Sequence, residues 1–266
     1  MEALITSDYN IEDYPNFKSL FKRIMKTAIL SDIHGNMEAF QSVLKDIERA
    51  QISQIFCLGD CIGYGPEPRK VLNLIGDLNI STVMGNHELA ILRPNDASWF
   101  NPIAQESLKI TRKMLNSAAL DQISLFPLFI LHHGCRLVHG FPPDLPKMYL
   151  FQASEEKLFK TFKTSSEPIC FIGHTHQLEL IEYNGKTIAR RPLEKETVYL
   201  NENHRYIINI GSVGQPRDGD NNAKYVIWDE TERSIEICYV TYDIDSTAQK
   251  IEAAGLPKAH ANRLWR

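Results

Sequence analysis

No run of apolar residues in this 266-residue chain approaches the roughly 20 needed to span a bilayer. The first 25 residues are too acidic and too aromatic for a secretory signal, so the cytoplasm is the expected location. An excess of positive charge is missing as well. Lys and Arg number 29 against 33 Asp and Glu, a net charge of -4, which removes any general attraction to nucleic acid or to acidic membrane surfaces. There is no low-complexity tract and no Gly/Ser linker to mark a boundary. Cysteine is scarce and odd in number, at five. Cys57, Cys135, Cys170 and Cys238 fall in apolar runs and are expected to be reduced, packed thiols. Cys57 and Cys61 form one Cys-x-x-x-Cys pair, but no second pair exists to complete a zinc site.

What remains is ordinary in bulk: 43% hydrophobic and 23% charged residues fit one globular domain over residues 25–266. Residues 1–24 are an N-terminal extension without a motif, in which Phe17, Leu20, Phe21 and Ile24 have the spacing of a short helix. The chain is unusual in where it puts metal-binding residue types. Short stretches read Ser31-Asp32-Ile33-His34-Gly35, Gly59-Asp60, Gly85-Asn86-His87-Glu88, Val138-His139-Gly140 and Gly173-His174-Thr175-His176. Five of the nine histidines lie in them. Asp32, His34, Asp60, Asn86, His139, His174 and His176 suffice for two divalent ions. Their carboxylate, carboxamide and imidazole donors suit Mn, Fe, Ni or Zn, and the lack of thiolates argues against a closed structural zinc site. Gly35, Gly59, Gly85, Gly140 and Gly173 are expected where the backbone turns sharply beside the ions.

Each stretch follows a strand-like run. Thr27–Leu30, Ile55–Leu58 and Ser81–Met84 alternate with helical stripes at Phe40, Val43, Leu44, Ile47 and at Val71, Leu74, Ile75, Leu78, which is βαβαβ and hence parallel. In such sheets ligands sit beyond the carboxyl ends of the strands. A helical region over 102–120 precedes a strand ending at Val138, and a helix over 154–162 precedes the strand 169–172. The later half reads as mostly antiparallel strands at 178–183, 186–189, 205–210, 223–229 and 234–240. Asn184-Gly185 suggests a two-residue hairpin turn, and Ser246-x-x-Gln249 a capping box. The expected fold is α/β with mixed sheets packed face to face and helices outside.

The order Asp-x-His, Gly-Asp, Gly-Asn-His-Glu, His, Gly-His-x-His over residues 26–217 resembles the calcineurin-like metallophosphoesterases. Gly59-Asp60-Cys61-Ile62-Gly63-Tyr64-Gly65-Pro66 is similar to their bacterial and archaeal phosphodiesterase and diadenosine-tetraphosphatase-like branch. The resemblance implies a four-layer α/β/β/α sandwich with two divalent ions holding a bridging hydroxide. It puts Asp60 between the ions, Asp32, His34 and His176 on one, and Asn86, His139 and His174 on the other. It also implies that Asn86 and His87 meet the phosphate, that His87 protonates the leaving oxygen, and that Glu88 orients His87 or its loop. The implied activity is hydrolysis of small phosphomonoesters or phosphodiesters, nucleotides among them.

Serine/threonine phosphatases of this superfamily carry Asp-Arg where this chain has Gly63 and Tyr64, which counts against a phosphoprotein substrate. Arg217 follows a strand in a loop that can face the site, either as a phosphate clamp or as an ion-pair partner of its neighbour Asp218. His132, His133, His204 and His260 read as surface histidines and Glu194-Lys195-Glu196 as a solvated turn. The rival readings are a metal-dependent DNA nuclease, disfavoured by the acidic balance, and a non-catalytic scaffold, disfavoured by the full set of seven ligand types.

Overall fold

The computed structural model describes residues 26–266, so the predicted helix at residues 17–24 lies outside the described residues. Twelve strands among those residues form two six-stranded mixed sheets. The first has the order β3 (Ser81–Thr82), β2 (Gln54–Cys57), β1 (Lys26–Leu30), β11 (Ala223–Asp229), β12 (Ser234–Val240), β9 (Thr197–Tyr199). The second has the order β4 (Phe129–His132), β5 (Cys135–Val138), β6 (Ile169–Ile172), β10 (Arg205–Ile210), β7 (Leu178–Tyr183), β8 (Ile188–Pro192).

Alternation along each strand builds the layers. Ala28 and Leu30 of β1 face a helix-covered core, while Ile29 between them faces the other sheet. On β6, Ile169 and Phe171 point between the sheets and Cys170 and Ile172 point outward. The period of two therefore sends each strand's residues to two different apolar cores. Phe171 and Trp228 meet between the sheets with ring centroids 5.9 Å apart. Outside the first sheet lie α1 (Met37–Arg49) and α2 (Pro68–Asp77), and outside the second lies α6 (Glu155–Thr164). The four-layer arrangement agrees with expectation.

The parallel segments are β3, β2 and β1 in one sheet and β5, β6 and β10 in the other. Their carboxyl ends open onto the same edge. The halves of the sequence do not map onto the sheets, because β11 returns to pair with β1 and β12 pairs with β11. Strand β3 has two residues rather than four, and Met84 N donates instead to Pro127 O at 2.7 Å. The helical region after residue 101 is two helices, α4 (Pro102–Met114) and α5 (Ser117–Ser124), because Asn116 restarts the second by capping Ala119 N. A short helix α3 (Asn86–Leu92) precedes them.

Two turn predictions need correction. The loop between β7 and β8 has four residues, with Tyr183 paired to Ile188. Asn184 stays out of the left-handed region and its Oδ1 instead accepts from Lys186 N and Thr187 N, leaving only Gly185 at positive φ, +91°. Near the C-terminus α7 (Ile244–Ala253) is capped by Asp243, whose Oδ1 accepts from Ser246 N, so Ser246 lies inside the helix rather than at its cap. Helix α8 (Lys258–Arg263) follows. No helix among the described residues is long and apolar enough to cross a membrane.

Candidate metal centre

Five strand ends converge. The loop after β1 brings Asp32 and His34, the loop after β2 brings Asp60, and the link after β3 brings Asn86 and His87. Opposite them β5 ends at His139, and β6 leads into His174 and His176. Backbone bonds stitch the loops together: His34 N donates to Asp60 O at 2.9 Å, Gly173 N to His139 O at 2.9 Å, and Gly214 N to Asp32 O at 2.9 Å. Asp32, His34, Asp60, His174 and His176 all have φ between +49° and +70°. That left-handed backbone costs L-residues energy and persists only where surrounding structure over-determines it, as at functional sites. Sequence reasoning missed this strain.

The imidazoles are pre-set as lone-pair donors. Nδ1 of His34, His139 and His176 lies 2.9, 2.8 and 2.6 Å from the carbonyl oxygens of Ile62, Leu58 and Gln215. A carbonyl only accepts, so each Nδ1 carries the hydrogen and each Nε2 points inward, a bare lone pair wherever the ring is neutral. His34 Nε2 and His176 Nε2 then face each other at 3.1 Å, and His139 Nε2 faces Asn86 Oδ1 at 2.8 Å and His174 Nδ1 at 3.2 Å. Such contacts between acceptors call for a cation or a proton between them.

The carboxylates are aimed in the same way. Asp32 Oδ2 accepts from Ser31 Oγ at 2.6 Å and His174 N at 3.0 Å, which leaves Oδ1 buried without a hydrogen-bond donor and 3.2 Å from His176 Nε2. Asp60 Oδ1 accepts from His87 N at 2.9 Å, while Oδ2 stands 3.3 Å from His139 Nε2 and 3.7 Å from His34 Nε2. Asp60 belongs to two of the three groups able to hold an ion among the described residues, Asp60-His139-His174 and His34-Asp60-His87, and the latter shares His34 with the third, Asp32-His34-His176. Orphaned oxygen, inward lone pairs and hard-to-borderline donors fit divalent ions.

Electrostatics follows from that crowding. Burial pushes the Asp32 carboxyl up, but the His176 and His139 imidazoles more than reverse it and hold it well below the usual range. Burial likewise pushes His139 down, yet Asp60 beside it raises the group to about 10. Burial holds His34, His174 and His176 below the ordinary imidazole value, so they are neutral at pH 7.

His87 is packed rather than hydrogen-bonded at Nδ1. A Cβ at Gly63 would come within 2.1 Å of that atom, so the position that carries Asp in protein phosphatases has no room for a side chain here. Tyr64 stands edge-on to His87 at 4.5 Å. Burial lowers His87 to about 4. Its Nε2 is 3.9 Å from Asp60 Oδ2. Glu88 does not reach for His87. Its carboxylate accepts from Asp60 N, Cys61 N, Ile62 N and Gly85 N at 2.8 to 3.3 Å, which fixes the Asp60 loop. Gly85 allows this, since a Cβ there would meet Asp60 Oδ1 at 2.2 Å.

Arg217 lies beside the site and not in an ion pair with Asp218, which bonds Lys224 at 2.7 Å instead. Arg217 N donates to His176 O, its guanidinium donates to Gln215 Oε1 at 3.1 Å, and its Nε is buried without a partner. His260, expected at the surface, is buried against Tyr64 at 4.5 Å. His132 closes β4 half-buried against Phe56, and His204 bonds Glu182 at 2.6 Å. His133 is exposed, 3.0 Å from Glu230. All five cysteines are free and buried, and none joins a metal-capable group among the described residues.

Buried Asp and His clusters at the strand ends of two packed mixed sheets define the class, a metal-dependent hydrolase of phosphoesters. The chain belongs to the calcineurin-like phosphoesterase superfamily, whose domain profile matches residues 25–233. An uncharacterized protein of Methanocaldococcus jannaschii is 36% identical over 243 residues, 90% of this chain and 96% of that one. The crystal structure of a metallophosphoesterase from Sphaerobacter thermophilus superimposes with a TM-score of 0.77 at 32% identity, over 91% of this chain and 98% of that one. A symmetrical bis(5'-nucleosyl)-tetraphosphatase of Wigglesworthia glossinidia brevipalpis is 42% identical over 71 residues, 26% of each chain.

Proposed function

We propose that the protein uses two divalent ions to hydrolyse small phosphomonoesters or phosphodiesters, nucleotides included. The observation that carries this reading is Asp60 Oδ2, 3.3 Å from His139 Nε2 and 3.7 Å from His34 Nε2, where one carboxylate can serve both clusters. Asp32, His34, Asp60 and His176 would hold one ion, and Asp60, Asn86, His139 and His174 the other. Bound there, divalent ions supply Lewis acidity and an activated water for in-line displacement.

The chain's own residues do the rest. Backbone carbonyls fix the imidazoles before any ion arrives, so little side-chain freedom is lost on binding. Glu88 fixes Asp60 through the backbone. His87 is neutral at pH 7 when the site is empty of substrate, because burial holds it at about 4. An arriving phosphate anion favours its protonated form, and the imidazolium then gives its proton to the leaving oxygen. Arg217 holds a nonbridging phosphate oxygen, for which its buried and unpartnered Nε supplies a donor. The nucleotide preference draws support from the tetraphosphatase relative and from Gly63, which leaves no room for the Asp of protein phosphatases.

The test is hydrolysis of bis(p-nitrophenyl) phosphate and p-nitrophenyl phosphate by metal-loaded protein. Wild type is expected to turn over at least one of them, and Asp60→Asn to abolish it. A metal-loaded wild type inert toward both and toward a panel of dinucleoside polyphosphates and cyclic nucleotides would overturn the reading.

A further inference from the structure

Beside the metal centre opens a cavity of about 440 Å³, and the end of the chain forms one of its walls. Tyr64, Tyr149, Trp99, Arg217, His260 and Arg263 line it. His260 and Arg263 belong to α8, which lies beyond the residues 25–233 that match the superfamily profile.

Helix α8 is held firmly in place. Leu256, Ala261 and Leu264 pack on Ile251 of α7 in one apolar cluster. Helix α7 is tied in turn to the loops that carry the metal ligands. Thr247 Oγ1 bonds Asn36 Oδ1, two residues from His34, and Lys250 bonds both Glu38 and Glu67. The His260 ring rests on Tyr64 at 4.5 Å, and Tyr64 rests on His87 at 4.5 Å. The C-terminal helix therefore reaches toward His87 through Tyr64.

The lining has a definite chemistry. Among the described residues it includes Lys147, Arg217 and Arg263 and not one Asp or Glu, so the cavity is built for negative charge. An aromatic wall runs outward from the metal ligands. Tyr149 stacks on His174 at 3.9 Å with 12° between the planes, and Trp99 stands 6.3 Å from Tyr149. Two buried nitrogens at this cavity, Arg217 Nε and His260 Nε2, have no hydrogen-bond partner among the described residues.

We infer that α8 is a recognition wall for the part of the substrate beyond the phosphate being cleaved. Arg263 binds further negative charge there, and Trp99 binds a flat aromatic ring, the combination that a nucleotide presents. Such a ring stacks on aromatic side chains whatever its sequence identity, and the volume suits a single nucleoside phosphate. This assignment rests on the phosphoesterase reading and goes further by naming residues for the leaving group.

Calorimetric titration of the full, manganese-loaded chain with adenosine 5'-monophosphate and with ribose 5-phosphate tests it without relying on turnover. The two probes share a phosphate and a sugar and differ in the base. The nucleotide is expected to bind roughly tenfold more tightly, in line with one base stacked on an aromatic side chain. Trp99→Ala should bring the two affinities together. Arg263→Gln should weaken adenosine 5'-diphosphate, whose second phosphate reaches beyond the metal centre, about tenfold and Arg263→Lys should restore most of the loss, with unchanged melting temperatures showing that the variants fold. Equal affinity of wild type for the two probes, or no binding of either, overturns the inference, as does Arg263→Gln binding adenosine 5'-diphosphate like wild type. Wild-type turnover of bis(p-nitrophenyl) phosphate reports separately on the phosphoesterase reading. Turnover without a nucleotide preference defeats only the recognition wall, and a nucleotide preference without turnover of any ester defeats only the enzymatic assignment.

Discussion

At the scale of single residues, His87 separates binding from chemistry under the proposed function. It is adjacent to Asn86 in sequence, yet its Nδ1 has no partner and its Nε2 stands 3.9 Å from Asp60, so its side chain is not part of the scaffold that holds the other imidazoles. His87→Ala is therefore expected to lower kcat by about 10² to 10⁴, the usual worth of a general acid, while metal content measured by mass spectrometry stays at the wild-type level. Loss of metal in that variant would move His87 into the ligand set. The residues that gather at the candidate site were legible in the sequence because each stretch that carries them contains a glycine and follows a strand-like run. Their left-handed φ values, the carbonyl partners of Nδ1 and the burial of His260 were not legible. Those depend on Leu58, Ile62, Gln215 and Tyr64, whose side-chain types say nothing about a carbonyl's direction or a ring's neighbour.

At the scale of elements, the α7 anchor responds to pH. Glu67, ordinarily near 4.5, lies lower here: partial burial raises it, but hydrogen bonds from Lys250 and Lys70 outweigh that. A carboxyl lowered on folding contributes stability that is present above its unfolded value and lost as pH falls through the folded one. Lys250→Met, which removes the pairs to Glu38 and Glu67, should lower the melting temperature more above pH 5 than below about pH 4. A melting-temperature difference constant across that range would show that the ion pairs do not hold α7. The element pattern was mostly readable, since the period of two predicts β1 and β2 to within a residue of their observed ends and the helical stripes fall on α1 and, Leu78 apart, on α2. It failed where tertiary structure decides. Strands β4 and β9 were missed because their residues are half-exposed and without clean alternation, and Asp243 rather than Ser246 caps α7 because a cap is set by which residue leaves the helix first.

For the molecule as a whole, the site exists because two sheets pack so that parallel strands in both end at the same edge. Phe171 is fully buried between them against Trp228. Phe171→Ala should cost about 3 to 5 kcal/mol in chemical denaturation, the typical value for emptying an aromatic site in a core. A loss below about 1 kcal/mol would mean that the two sheets tolerate a gap where they meet. The sandwich itself was foreseeable from βαβαβ followed by strand-rich sequence, but the return of β11 and β12 to the first sheet was not, because both sheets draw on equally apolar strands. The central claim is that Asp60 joins two ion sites into one centre, and metal stoichiometry of purified protein reloaded with Mn tests it most directly. The account predicts about two equivalents per chain in wild type and fewer than one in Asp60→Asn. Wild type that takes up less than one equivalent, or an Asp60→Asn variant that keeps both, would contradict it.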